Sequence, residues 1–260
     1  MNPHESLSVP LPSGRVLASD DGEPFFWMSD EPAPVGLWSR LLVESPRSGW
    51  WPLLLEDVDR DPLRFTEAFA PGRSTPLARH DPAELLAGWW AQYVSPFEPD
   101  TEEAAPRPET APFGTKWPGT VPAVSLAEGA AEETAAERAE LLVEHVSGQR
   151  LGLVRASSGA EALLACGWSG PLNYDNDTAA FAAVVADWER RFGARVLGLG
   201  FDALTLSVAS VPTDLDRALR VAAEHFAFCP DNVWQGGSPH TLRGYAERLV
   251  DRPVWTFWWD

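Results

Sequence analysis

The chain has 260 residues, 45% hydrophobic and 22% charged, a globular composition with room for one large core or two small ones. Its net charge of −18 sets it against nucleic-acid phosphates, and no apolar run is long enough to cross a bilayer. The first residues, MNPHESLSVPLPSG, lack a basic segment followed by an apolar one, so a cytoplasmic location is expected, with no nucleic-acid or membrane partner.

In chain order, Val16 to Ser19 and Phe25 to Met28 flank Asp20-Asp21-Gly22 as a predicted hairpin. Gly36 to Ser45 has Leu37, Leu41 and Leu42 at helical spacing, with Pro46 to Gly49 as its stop; Trp51 to Leu55 suits a buried strand. Asp81, Pro82 and Glu84 open a helix whose apolar face is Leu85, Leu86, Trp89, Trp90 and Tyr93. Residues 98–122 hold six prolines and five acidic side chains, the composition of an extended linker. An Ala/Glu-rich helix is predicted from Glu128 to Val146.

The last third alternates more regularly. A strand (Leu151 to Ala156) leads through Ser157-Ser158-Gly159 into a short helix ending at Gly167. Thr178 is the predicted cap of a helix on which Phe181, Val184, Val185, Trp188 and Phe192 share a face. Arg195 to Phe201 and Leu204 to Ala209 form a hairpin. Thr213, with Asp216 three residues on, is the predicted cap of a helix stopped at Pro230; a helix from about Thr241 and a strand from Val254 to Trp259 follow.

The order strand, helices, strand, strand, helices, strand predicts an α+β domain over 126–260. Its plan is an antiparallel sheet with helices on one face, ferredoxin-like or split βαβ. A smaller α/β region over 1–97 and a Pro/Glu-rich linker over 98–125 precede it.

No complete catalytic motif is present. Ser157-Ser158-Gly159 lacks the G-x-S-x-G elbow of a hydrolase and suits a helix cap. Gly198 and Gly200 lie in a strand, with no glycine-rich turn into a helix to cradle phosphates. His225 and Cys229 are four apart, the separation that puts two ligands on one side of a helix, but no second pair stands at a zinc spacing. No metal or cofactor is therefore expected, and Cys166 and Cys229 are expected as buried free thiols. Glu224, His225 and Asp231 are the candidate catalytic residues; on the helix wheel Glu224 falls away from the apolar face, where a surface ion pair with Arg220 is the simpler reading. Trp168, Asn173, Asp231, Asn232, Trp234 and Gln235 are the candidate binding residues, gathered in two loops that would form a rim if they meet.

Five blocks carry a resemblance: GWSGPLN at 167–173, ADWERRFGARV at 186–196, LTLSVASVP at 204–212, AAEHFAFCPDNVWQG at 222–236 and WTFWWD at 255–260. Together they resemble the bacterial domain-of-unknown-function family 4253 over roughly residues 150–260. The resemblance implies a shared fold unit and brings no activity and no catalytic residue.

Acidic charge is concentrated in residues 1–146, with 25 acidic and 10 basic side chains, against 13 and 10 in 147–260. An acidic half keeps a protein soluble and can steer a basic protein partner. The expectation is a non-enzymatic protein-interaction protein, immunity-like or accessory. The alternative is a small-molecule-binding protein or enzyme using the polar turn at 224–235.

Overall fold

Hydrophobic alternation and helix caps place nearly all the elements where the chain forms them. The computed structural model describes residues 3–19, 22–56, 58, 62–71, 76–95 and 108–260. The elements are β1 (Gly14–Ala18), β2 (Pro24–Pro32), α1 (Leu37–Ser48), β3 (Trp50–Leu55), α2 (Pro62–Glu67), α3 (Pro82–Val94) and α4 (Ala130–His145). They continue with β4 (Arg150–Arg155), α5 (Gly159–Cys166), α6 (Thr178–Phe192), β5 (Ala194–Leu199), β6 (Ala203–Val208), α7 (Leu215–Phe228), α8 (Asp231–Trp234), α9 (Leu242–Leu249) and β7 (Val254–Trp258).

The strands form one sheet in the order β1-β2-β4-β3-β5-β6-β7. This α+β sheet is mixed, which corrects the antiparallel expectation: β3 and β5 pair in parallel, Leu54 opposite Gly198, while every other pairing is antiparallel. A split βαβ unit needs its two helix-connected strands parallel. Here β4 and β5 both flank β3, one antiparallel and one parallel to it, so they oppose each other and that plan is not formed.

Helices cover both faces, a second correction. Neighbouring residues on a strand point to opposite sides: Arg195 reaches Glu132 on α4 at 2.7 Å, while Val196 packs under Gly159 of α5. A Cβ on Gly159 would stand 2.6 Å from Val196. Layers on both faces explain why all six residues of β3 are buried.

The sequence-derived boundaries cross this sheet. β3, from the first 97 residues, stands between β4 and β5. Residues 98–107 of the predicted linker lie outside the described residues. The stretch after them is packed: Thr110 and Val121 are buried, Trp117 sits 5.6 Å from Trp90, and Trp90 Nε1 donates to the Thr115 carbonyl at 3.2 Å.

Three local departures have clear causes. α1 runs through Pro46, and Ser45 Oγ donates to the Leu42 carbonyl at 2.8 Å, supplying the hydrogen bond that the proline nitrogen cannot. Asp177, one residue before the predicted Thr178, caps α6 through Ala179 N. Asp214, one residue after Thr213, caps α7 through Arg217 N. A carboxylate and a hydroxyl are both good N-caps, so adjacent candidates are separated only by backbone geometry.

Candidate functional site

α7 carries the residues that chemistry would choose, but it lies deep in the molecule. From Val221 to Cys229 every side chain is buried. Helices α3 and α9 pack against it, and α6 and β7 close it from the sheet side through Trp188, Trp255 and Phe257.

Glu224 is the centre of a buried polar cluster, not a surface ion pair with Arg220. Its Oε1 accepts from Val121 N at 2.7 Å and Arg191 Nη1 at 3.0 Å. Its Oε2 accepts from Trp188 Nε1 at 2.8 Å and from Arg191 Nη2. Arg191 Nη1 also donates to the Val121 carbonyl at 2.7 Å. Four donors fill the carboxylate, and three stretches of chain are tied to one point.

His225 sits in an aromatic cage 4.4 Å from Trp255 and 4.9 Å from Phe257 between ring centroids. Its Nδ1 lies 2.9 Å from Tyr245 Oη, which also accepts from Asn232 Nδ2 at 2.9 Å. Nδ1 thus shares a buried polar contact with Tyr245 and Asn232, while Nε2 is buried with no hydrogen-bond partner among the described residues. Burial, with Arg191 nearby, pushes this imidazole down to about 3. Cys229 is equally enclosed: Sγ donates to the Trp258 carbonyl at 3.1 Å, and burial raises the thiol, so no thiolate nucleophile forms at neutral pH. Burial likewise pushes Cys166 up to about 12.

Asp231 joins the two predicted loops. Its Oδ2 accepts from Tyr174 Oη at 2.7 Å and from Asp260 N at 3.1 Å, and its Oδ1 accepts from Gln235 Nε2 at 2.9 Å. Asn232 Nδ2 also donates to the Thr256 carbonyl at 2.8 Å. The loops thus meet, but the candidate binding residues divide. Trp168 is buried, its Nε1 donating to the Gly200 carbonyl at 3.0 Å, so it belongs to the core. Asn173, Trp234 and Gln235 are exposed, Asn232 is half-buried, and Asp231 is buried. Tyr174, Tyr245 and Arg191 were missed by sequence reasoning, since each acts through a partner more than ten residues away.

Beside the turn runs an open groove of about 360 Å³, bounded by Gln235 to Gly237, Tyr245, Arg248, Arg252 and the outer side of β7. A second cleft, of about 400 Å³, lies between the helix layers and is lined by Ser157, Ser158, Glu189 and Arg195. There Glu189 accepts from Ala160 N at 3.1 Å, and burial raises its carboxyl to about 7 against the lowering pull of Arg195. Ser157 Oγ donates to Glu161, and Ser158 Oγ caps α5 through Glu161 N while its side chain also hydrogen-bonds Glu189. Among the described residues no three His, Cys, Asp or Glu side chains come together as a metal-binding group, and no helix is long and apolar enough to cross a membrane.

Residues 150–260 match the model of a family described as Domain of unknown function (DUF4253), the family that the five sequence blocks resemble. No curated protein and no solved structure matches the chain.

Proposed function

We propose that this protein works by binding another protein, as an immunity-like or accessory protein of the cytoplasm, through the surface around Trp234 and the end of β7. One observation carries the reading. Of thirteen tryptophans, only Trp234 (36% exposed) and Trp258 (41% exposed) rank among the exposed large hydrophobic side chains. Both border the same turn: Trp234 closes α8, and the Trp258 carbonyl is held by Cys229. Exposed indoles are what a protein interface uses as anchors. Leu172 (59% exposed) and Asn173, on the loop tied to Asp231 through Tyr174, extend the surface. The acidic N-terminal half suits a partner carrying basic charge.

The alternative, an enzyme or small-molecule site at 224–235, has less support. Glu224 and His225 have no exposed surface, and the Glu224 carboxylate is filled by internal donors.

The test places a photo-crosslinking amino acid at Trp234 and, as a control, at Val43, which is 81% exposed on α1. In the native cell the Trp234 probe should capture a defined protein that the Val43 probe does not, and Trp258→Ala should reduce the yield. Equal capture from both positions, or none from Trp234, would exclude this surface.

A further inference from the structure

The groove beside β7 combines unused donors with used acceptors. Of the arginines on and just after α9, Arg243 pairs with Glu247 at 3.2 Å, whereas Arg248 and Arg252 line the groove without an acidic partner among the described residues. Arg248 is held over the Tyr245 ring, 5.6 Å from its centroid.

Two strand carbonyls on that side are already occupied. In the β6–β7 pairing, Val208 N donates to Pro253 O and Trp259 N to Asp202 O, so Val254, Thr256 and Trp258 direct their backbone groups outward. Of these, the Thr256 carbonyl is bonded by Asn232 and the Trp258 carbonyl by Cys229. Asp231, the acid lining the groove, spends both oxygens on Tyr174, Gln235 and Asp260 N. To this side Arg248 and Arg252 bring two guanidinium groups, which carry only donors. In a chain of net charge −18, two unpaired arginines in one groove form a local exception.

We propose that this groove binds an acidic, extended segment of a partner protein, with carboxylates on Arg248 and Arg252 and an apolar side chain against Trp258. The inference rests on the reading of the chain as a binding protein and names the chemistry of one contact. A peptide fits better than a small free anion. Both arginines are exposed, so a lone anion gains little from them, whereas a peptide also covers Leu249, Val254 and the exposed Trp258 indole. Planar guanidinium groups favour carboxylates by two-point hydrogen bonding.

The probe is a fluorescein-labelled octapeptide of alternating glutamate and leucine, titrated into the full chain by anisotropy. Saturable binding is expected, weakening as salt rises. In Arg248→Gln/Arg252→Gln it should weaken about tenfold or more, a loss that each tenfold step equates to about 1.4 kcal/mol. Both arginines are exposed, so the variant should keep the wild-type melting curve, and Trp258→Ala should weaken binding as well. The proposal is overturned if the double variant binds as well as wild type or if no saturation occurs. It is also overturned if a glutamine/leucine or lysine/leucine peptide binds equally, or if free glutarate competes as well as the peptide. Capture from Trp234 without peptide binding would sink this proposal and leave the interaction reading standing; peptide binding without capture would do the reverse.

Discussion

Single residues of α7 separate stability from function. Glu224 and Arg191 form a buried ion pair, and removing one partner of such a pair leaves the other uncompensated at a cost of about 3–5 kcal/mol. Glu224→Gln should therefore lower the urea midpoint strongly. Trp188→Ala should cost about 3–5 kcal/mol by emptying a fully buried site that touches Phe228, Trp255 and Phe257. Because Trp188 Nε1 donates to Glu224, the double variant should lose less than the two single losses added together. Trp234→Ala, at a partly exposed ring resting on Tyr93 and Phe226, should cost less than Trp188→Ala; the reverse order in denaturant melts would make Trp234 a core residue. Two titrating groups oppose each other. His225 falls from its usual 6.5 to about 3 in the folded chain, so the unfolded chain binds the extra proton between those values. Its contribution is complete above pH 6.5 and is lost on acidification at about 1.4 kcal/mol per pH unit. Glu189 is raised from 4.5 to about 7, so its contribution is complete below pH 4.5 and is lost as pH rises through 7. Glu189→Gln should gain stability relative to wild type between pH 5 and pH 8; melts at both values showing no change in the difference would refute the assignment.

At the level of elements, the α7–α8 turn covers an edge. β7 ends the sheet, and an open edge strand invites pairing with another chain. Cys229, Asn232 and Asp231 engage the outward backbone groups of Trp258, Thr256 and Asp260 in turn. The residue types that look like a reactive cluster in sequence are those needed to satisfy a strand edge: a thiol, an amide and a carboxylate. Asn232→Ala should free the Thr256 carbonyl and deprive Tyr245 of a donor, costing about 1–3 kcal/mol. It should also raise concentration-dependent association, measurable by light scattering. An unchanged melt and an unchanged scattering profile would show that the edge needs no such cover.

For the whole molecule the decisive feature is β3. Taken from the first 97 residues, it fills the centre of the sheet between β4 and β5, with Leu53, Leu54 and Leu55 fully buried. Residues 126–260 alone would lack that strand, the α3 helix that places Trp89 against Phe181, and the Val121 backbone that bonds Glu224 and Arg191. A fragment of 126–260 should therefore lack the near-ultraviolet circular dichroism of the full chain, and adding 1–125 in trans should restore part of it. A fragment with native-like dichroism and a cooperative melt would show that the C-terminal portion folds by itself.

Sequence alone determined what depends on near neighbours. The Asp81-Pro82 start of α3 was legible because a cap is satisfied within three residues, as Asp81 is by Ala83 N and Glu84 N. The face of α6 holding Phe181, Val184, Val185, Trp188 and Phe192 was legible because periodicity records burial. The family blocks over 150–260 were equally plain. Tertiary structure decided the rest. The helical wheel assumes one wet side, so it put Glu224 on the surface, whereas the second half of α7, from Val221 on, is enclosed on all sides and Arg191, 33 positions away, makes that carboxylate part of the core. Trp168 and Trp234 both stand in stretches that read as loops in the sequence; packing against Trp259 and the bond to the Gly200 carbonyl buried the first, while the second was left exposed. The groove at Arg248 and Arg252 has no local signature, because unpaired charge is a property of what does not arrive from elsewhere in the chain. The mixed sheet was hidden for the same reason: alternation fixes which side a residue faces, and the neighbour of a strand is chosen by long-range packing.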